Sequence, residues 1–338
     1  MIDLLIAGGG PAGLVTALHS ARAGLDVVVV ERRRGVIDKA CGEGLMPHTL
    51  RQLERLGVDP PGRPFRGIRY LDEHRSVDAA FRSGPGRGVR RTALHAALRD
   101  AVMAVGVPVF TTEAGAVTQD STSVRMGALR ARYLAAADGL HSPIRRSLGL
   151  ARPSHGSRRW GIRRHVRIAP WTDHVEVYWA SGAEAYVTPV ADDCVGIAIL
   201  TSQRGGFDQQ LCAFTALRDR MADHPHGPDM AAGPLRQRVR ALSTGRVLLV
   251  GDAAGYVDAL TGEGLGIAFD AARLLVSCVI ADRPGEYDRQ WRRMSRRYRL
   301  LTSALVNAGA WRPVRSRIVP AAAAFPRVFA LAVNQLAD

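Results

Sequence analysis

A run of glycines near the N-terminus has the spacing that holds a pyrophosphate group. Gly8-Gly9-Gly10-Pro11-Ala12-Gly13 follows the apolar run Ile2 to Ala7 and precedes a helical stretch from Leu14 to Ala23. The first glycine of such a run allows a tight turn, the third lets the backbone approach a pyrophosphate, and the last lets the helix pack on the strand. Free N–H groups at the helix start then face the phosphate charge. The pattern predicts a dinucleotide site.

An acid closes the second apolar run of the chain. Glu31 follows Val27 to Val30, and Arg32 comes next. An acid at this point accepts hydrogen bonds from the ribose hydroxyls of a dinucleotide. Strand, glycine turn, helix, strand and acid together form the full context of the fingerprint, which by itself does not separate FAD from NAD.

Two later segments each place an acid beside a glycine at the end of an apolar strand. Asp138-Gly139 ends the strand that begins at Tyr133, and Gly251-Asp252 ends the strand that begins at Arg246. The second segment is followed by a glycine-rich turn, Gly262 to Gly266, that opens a helix from Ile267 to Ile280. N–H groups at a helix start stabilise negative charge on a bound group.

With these three motifs in this order, the chain resembles the FAD-dependent oxidoreductases of the aromatic-hydroxylase (group A flavin monooxygenase) and geranylgeranyl-reductase superfamily. The resemblance extends from the N-terminus to the end of the helix after the third motif and implies FAD as the cofactor. It implies that Asp252 holds a ribityl hydroxyl and that Asp138, Gly139 and Arg145 lie near the pyrophosphate. It also implies that Arg91, at the head of a helix, flanks the cofactor; a surface position on that helix is the alternative.

The predicted cofactor-binding residues share a place in one of these motifs or in the segment after the second strand. They are Gly8, Gly10, Pro11, Ala12, Gly13, Glu31, Arg32, Cys41, Gly42, Arg91, Asp138, Gly139, Gly251, Asp252, Gly262, Gly264 and Leu265.

Catalytic candidates come from two regions. Cys41-Gly42-Glu43-Gly44 resembles a segment of the geranylgeranyl-reductase-like branch, although a lone cysteine is commonly a small apolar filler. Tyr178 and Tyr186 belong to predicted strands that would form the substrate wall. Successive side chains on a strand face opposite sides, so at most one of Tyr178 and Trp179 points at the substrate. No Cys or His spacing predicts a metal site.

The predicted fold is α/β, with a Rossmann-type FAD-binding domain, an inserted and mostly antiparallel β-sheet substrate domain, and C-terminal helices. The FAD-binding domain takes residues 1–62, 87–150 and 240–285, the substrate domain residues 63–86 and 151–239, and the helices residues 286–338. Finer expectations are a hairpin over Phe65 to Phe81, an antiparallel meander over His174 to Leu200 and one helix over Gln209 to Ala222.

The charge of the chain is strongly positive. Its 338 residues include 46 Lys and Arg against 31 Asp and Glu, a formal net charge of +15, and Lys39 is the single lysine. The arginines are scattered, so a solvated basic face is expected and nucleic acid is not a predicted partner. An acidic carrier protein and peripheral contact with an anionic membrane, through the basic and apolar C-terminal helices, remain open.

The chain has no long uncharged apolar run and no secretory signal at its start, and its four cysteines are scattered. We therefore expect a cytoplasmic protein, with peripheral contact to a membrane as the alternative.

The first predicted function is an FAD-dependent monooxygenase that uses NAD(P)H and O2 to hydroxylate or epoxidise a lipophilic aromatic or polyketide-like substrate. NAD(P)H would bind transiently, because no second dinucleotide fingerprint is present. The second is a flavin-dependent reductase of isoprenoid double bonds. The third is a non-catalytic, flavin-stabilised docking protein.

Overall fold

The computed structural model describes residues 1–154 and 158–337. The strands are β1 (Ile2–Ala7), β2 (Val27–Glu31), β3 (Gly44–Leu45), β4 (Arg63–Phe65), β5 (Gly67–Leu71), β6 (Ser76–Ala80), β7 (Gly86–Gly88), β8 (Val109–Thr111), β9 (Val117–Gln119), β10 (Val124–Met126), β11 (Leu129–Ala136), β12 (Ala151–Arg152), β13 (Trp160–Val166), β14 (His174–Ala180), β15 (Ala183–Ala191), β16 (Cys194–Thr201), β17 (Met230–Ala232), β18 (Arg238–Val239), β19 (Ser243–Thr244) and β20 (Val247–Leu249).

Helices pack around these strands, and every described element after β20 is helical. They are α1 (Pro11–Arg22), α2 (Pro47–Arg55), α3 (Arg91–Ala104), α4 (Pro143–Ser147), α5 (Phe207–Leu211), α6 (Thr215–Met221), α7 (Gly264–Ile280), α8 (Pro284–Ala310), α9 (Arg312–Arg315), α10 (Ile318–Ala324) and α11 (Pro326–Ala337).

The larger sheet is built on a parallel core. Its path is β19-β20-β11-β1-β2-β8, with β10 and β9 added beside β11. From β20 to β8 every neighbouring pair runs parallel. β1 and β2 are apolar almost throughout and their inner residues are buried, as expected for strands covered on both faces by helices. This confirms the Rossmann-type α/β prediction.

The second sheet has seven strands in the order β17-β13-β16-β15-β14-β5-β6. β14, β15 and β16 form the predicted antiparallel meander, and β5 with β6 forms the predicted hairpin. One pair, β14 with β5, is parallel, so the sheet is mostly antiparallel. It combines strands from both of the segments predicted as the substrate domain, whose outer boundaries stay a prediction.

The single helix predicted over Gln209 to Ala222 is wrong. The chain forms α5 and α6 instead, and it leaves helical geometry at Phe214, where φ is −127° and ψ is 69°. That break buries the Phe214 ring in the same apolar cluster as Phe207 and Leu217. The hydrophobic periodicity of the sequence does not indicate this break, because the three apolar residues recur at the spacing of a continuous helix.

The last helix, α11, covers the edge strand β6. The Asn334 side chain donates from Nδ2 to the Ala80 carbonyl at 2.9 Å and accepts at Oδ1 from the Arg82 N–H at 2.8 Å. Phe329 packs on Tyr70 with ring centroids 4.7 Å apart. Edge strands expose unpaired backbone groups, and this helix satisfies two of them.

No single helix among those described is long and apolar enough to cross a bilayer. One pair, Pro313–Ala324 with Pro326–Ala337, reaches that length and composition only jointly and is bent by 103°.

Candidate functional site

A cavity of about 620 Å³ opens where the carboxyl ends of β1, β2 and β11 meet the start of α7. Open α/β sheets bind ligands at this edge. All but one of the seventeen predicted cofactor-binding residues line the cavity, and the exception is Gly13. The motifs read from the sequence therefore meet in one place.

The glycine turn shapes the bottom of this cavity. Gly8 has a φ of +113°, which L side chains rarely adopt, and Gly13 lies so close to it that a Cβ on Gly13 would be 1.9 Å from the Gly8 carbonyl oxygen. Gly13 acts beneath the cavity by letting α1 approach β1, as the fingerprint predicts.

Glu31 is an ionised acceptor at the end of β2. Its Oε2 accepts the Gly9 N–H at 2.8 Å and its Oε1 accepts the Arg33 N–H at 3.0 Å. Burial alone would raise the pKa of Glu31, but these backbone N–H groups and the Arg33 side chain bring that pKa below its usual value. The carboxylate keeps lone pairs for a ribose, whose binding stays a prediction.

Two buried polar atoms at the cavity wall have no partner among the described residues. Asp138 Oδ2 accepts the Ile144 N–H at 3.0 Å, whereas Oδ1 is buried and unbonded, and burial raises the pKa of this carboxyl. Arg91 Nε is likewise buried and unbonded, and its guanidinium would lie 4.0 Å from a Cβ on Gly10. Buried polar groups are almost always bonded. An acceptor and a cationic donor facing a glycine turn fit a dinucleotide, and Arg91 takes the cavity position rather than the surface one.

Asp252 forms an ion pair with a lysine that sequence reasoning missed. Lys39 Nζ lies 3.0 Å from Asp252 Oδ2, and both side chains are partly exposed in the cavity wall. The signal was present in the sequence, since Lys39 is the single lysine among 46 basic residues.

Arg145 does not lie where the sequence placed it. It is 2% exposed and is absent from the cavity wall. Its guanidinium donates to the carbonyls of Leu140, Asp252 and Ala253 and to Gln237 Oε1, at 2.8–3.2 Å. Arg146 lines the cavity instead. Neighbours on a short helix face different ways, and the sequence alone does not say which one faces in. Arg145 is a brace that joins the second and third motifs.

We expect Arg145→Met to lower the free energy of unfolding by about 3–5 kcal/mol, because it leaves buried carbonyls without donors. FAD affinity should fall with it, since the brace holds the Asp252 turn. Urea unfolding and FAD titration measure the two effects. Arg125→Met, at an exposed arginine of β10, is the matched control and should change neither. A stability of Arg145→Met equal to wild type would contradict the brace.

Cys41 lines the cavity in the segment after β2. Burial raises the pKa of its thiol, and Arg91 nearby offsets part of that rise. The Glu43 N–H points at Cys41 Sγ, 3.4 Å away. The thiol is therefore protonated at neutral pH and faces the cavity.

Behind Cys41 lies a charged network that sequence reasoning also missed. Glu43, 3% exposed with a φ of +61°, accepts the Arg91 N–H at Oε1 (2.9 Å) and bonds His165 Nε2 at Oε2 (2.6 Å). Arg163 bonds His165 Nδ1 at 2.8 Å and also pairs with Asp38. Because a guanidinium only donates, His165 accepts at Nδ1 and donates from Nε2 to Glu43. These bonds hold the strained Glu43 backbone in place.

The far end of the cavity is apolar. Tyr186 lines it, as predicted, and donates its hydroxyl to the Leu260 carbonyl at 3.0 Å. The other apolar lining residues come from β5, β14 and α11 and their neighbours: Ile68, Tyr70, Phe81, Val175, Val177, Leu260, Val333 and Leu336.

Tyr178 is not part of this wall. Val175 and Val177 of β14 face the cavity, so Tyr178 faces the opposite side, where it donates to Glu176 Oε2 at 2.7 Å. Trp179 shares the inward side of the strand but is buried in an apolar cluster outside the cavity wall. The candidate role of Tyr178 at the substrate is therefore wrong.

A family model described as "FAD binding domain" matches residues 1–290. Menaquinone reductase of Mycobacterium tuberculosis is 28% identical over 308 residues, which cover 80% of this chain and 75% of that protein. Digeranylgeranylglycerophospholipid reductase 1 of Methanothermobacter thermautotrophicus is 25% identical over 326 residues, 85% of this chain and 81% of that protein.

The fold is similar to that of the flavin-dependent brominase Bmp2. The TM-score is 0.79 at 14% identity, and the match covers 99% of this chain and 93% of that structure. At this identity the similarity concerns the fold alone.

Proposed function

The chain belongs to the FAD binding domain family and is an FAD-dependent oxidoreductase, and from that premise we propose that it reduces a carbon–carbon double bond of a lipophilic isoprenoid. Bound FAD, once reduced, supplies the hydride. The residues described above bind the cofactor, enclose the substrate and provide the proton.

The observation that carries the proposal is the position of Cys41. Reduction of a double bond adds a hydride to one carbon and a proton to the other, so the site needs an acid that is protonated at neutral pH. The Cys41 thiol lines the cavity, and burial keeps its pKa high. Loss of its proton leaves a thiolate close to the Glu43 N–H and the charge of Arg91.

The apolar end of the cavity supports the substrate class. Its wall consists of aliphatic and aromatic side chains, and burial raises the pKa of Tyr186 well above its usual value, so that its phenol stays neutral. Apolar walls with few polar groups suit a lipid chain rather than a charged small molecule. The two relatives, a menaquinone reductase and a digeranylgeranylglycerophospholipid reductase by name, support the same class.

The monooxygenase, placed first by the sequence, stays a prediction. The cavity residues described here supply a proton donor, which double-bond reduction requires directly. Oxygen transfer depends on properties of the bound cofactor that the chain alone does not display.

The test is the mass of the product. FAD-loaded protein, reduced with dithionite under anaerobic conditions, is mixed with menaquinone or with a digeranylgeranyl glycerophospholipid. We expect stoichiometric reoxidation of the flavin and a product that stays heavier by two hydrogen atoms after exposure to air, which returns any quinol ring to the quinone but leaves a saturated side-chain bond unchanged. A parallel reaction under ¹⁸O2 is expected to place no label in the product. Labelled product that forms only with oxygen would replace this proposal with the monooxygenase, and an unreacted flavin with both lipids would overturn it.

A further inference from the structure

A second cavity of about 260 Å³ lies on the other side of the Gly251–Asp252 turn. Its wall is formed by β12, β18, the start of α7 and the middle of α8. The two cavities share five residues, so a thin partition separates them: Gly251, Asp252, Tyr256, Gly264 and Ala268. Of the predicted cofactor-binding residues, Gly251, Asp252 and Gly264 are the ones that also line this second cavity, and the rest of its wall lies outside the cofactor motifs.

Two arginines stand directly opposite each other at this cavity. β12 and β18 pair antiparallel in a two-stranded ribbon, and the register places Arg152 across from Arg238. Like charges directly opposite on paired strands are destabilising. Within residues 1–154 and 158–337, neither guanidinium has a carboxylate within ion-pair distance. No described carboxylate therefore offsets the repulsion between these two exposed side chains.

Three more arginines line the same cavity. Arg236 adds a third guanidinium beside the ribbon, and Arg292 pairs with Asp288 at 2.5 Å. Arg299 stacks over Trp291 at 5.3 Å; burial lowers its pKa, and Arg292 lowers that pKa further. Asp252, the single carboxylate in the cavity wall, already pairs with Lys39 on the side of the first cavity.

A buried hydroxyl completes the wall. Ser295 on α8 is 1% exposed, and its Oγ has no hydrogen-bond partner among the described residues. Buried hydroxyls are rarely left unbonded in folded proteins. An unused donor beside an excess of guanidinium groups is the arrangement that an anion with several acceptor oxygens would satisfy.

We propose that this second cavity binds the phosphate or diphosphate group of a ligand, held between Arg152 and Arg238 and bonded by Ser295. Guanidinium groups match phosphate oxygens in bidentate geometry. The volume is below the roughly 300–1,000 Å³ of sites that enclose a whole drug-sized ligand, so the cavity takes the charged group and the rest of the ligand lies outside. This inference does not depend on the reaction proposed above.

The experiment measures binding of inorganic pyrophosphate to the FAD-loaded protein by isothermal titration calorimetry. We expect saturable binding that weakens about tenfold or more in the double variant Arg152→Gln/Arg238→Gln. Ser295→Ala should weaken binding by a smaller factor. The control is Arg125→Gln/Arg293→Gln. It also removes two positive charges, but from exposed positions outside both cavities. Its affinity should stay within about twofold of wild type.

Equal losses in the two double variants would show that pyrophosphate responds only to net charge, and this result would overturn the proposal. Absence of saturable binding at millimolar pyrophosphate would overturn it as well. Circular dichroism of each variant checks that it is folded, and Ser295→Ala, which keeps all charges, tests the site if the double variant is not.

Competition then identifies the source of the phosphate group. Displacement of pyrophosphate by 2′,5′-ADP but not by 5′-AMP would assign the cavity to the 2′-phosphate of a phosphorylated pyridine nucleotide. Displacement by geranyl diphosphate would assign it to a phosphorylated isoprenoid. Both results support the site, and neither readout involves turnover, so failure of the proposed reaction leaves this test intact.

Discussion

Gly13→Ala is expected to weaken FAD binding by about 100-fold or more, or close to 3 kcal/mol. The added Cβ would lie 1.9 Å from the Gly8 carbonyl oxygen. Both atoms belong to rigid backbone, one on α1 and one at the end of β1, so no side-chain rotation relieves the clash. α1 must move away from the sheet, and its N–H groups then move away from the pyrophosphate.

The measurement is a titration of apoprotein with FAD, followed by quenching of flavin fluorescence. Gly285→Ala is the matched control, because it makes the same change near the start of α8, where a new Cβ has nothing within 4 Å. We expect the control to bind FAD as wild type does. Wild-type affinity in Gly13→Ala would mean that α1 and β1 do not hold the cofactor in the way described.

Cys41→Ala is expected to lower the rate of double-bond reduction by about 100- to 10,000-fold, the usual contribution of a general acid. The rate at which dithionite reduces the bound flavin should not change, because the thiol supplies its proton only in the later reduction of the lipid. Cys41→Ser should recover part of the rate, since a hydroxyl donates more weakly. Stopped-flow reoxidation of the reduced flavin by the lipid measures this step.

The pH profile adds a readout that a purely structural role would not move. The thiol acts in its protonated form, and burial raises its pKa above the ordinary value of 9.0. Wild-type rates should therefore persist through neutral pH and fall only as pH rises through that raised value. Cys41→Ala should lose this alkaline decline together with most of the rate.

Cys212→Ala is the control for Cys41, because Cys212 is exposed and lies outside both cavities. Its rate and pH profile should match those of wild type. If Cys41→Ala reduces the lipid at the wild-type rate, Cys41 is a packing residue and the proton comes from another group.

The parts of the site that the sequence predicts are those set by local backbone geometry. Gly8, with a φ of +113°, and Gly251, with a φ of +63°, each adopt a conformation that favours glycine at a strand end, and residue type and spacing predict such positions. The strands themselves follow from apolar runs such as Ile2 to Ala7. These local signals place the cofactor residues at one sheet edge without knowledge of any long-range contact.

The parts that the sequence does not predict depend on which way a side chain faces. Tyr178 lies on the outer side of β14 because the phase of that strand is set by packing, and period-two alternation allows either phase. Arg145 and Arg146 are chemically identical neighbours, and only the fold sends one inward to the carbonyls and the other to the cavity.

Long-range partners are hidden for a related reason. His165 and Glu43 are 122 residues apart and meet because β13 passes behind the segment after β2. The like-charged pair Arg152 and Arg238 becomes visible only once β12 and β18 are known to pair. The spacing of these residues along the chain predicts neither contact.

The brace formed by Arg145 has a consequence for biosynthesis. Two of its acceptors, the carbonyls of Asp252 and Ala253, lie 107 and 108 residues further along the chain. β20, which precedes them, can pair with β11 only after the ribosome has added the residues between these two strands. A nascent chain thus contains the complete glycine fingerprint long before it contains the Gly251-Asp252 turn that completes the cofactor cavity. Cofactor loading is expected only after β20 has been synthesised, and the incomplete sheet formed before then is the species that chaperones would have to protect.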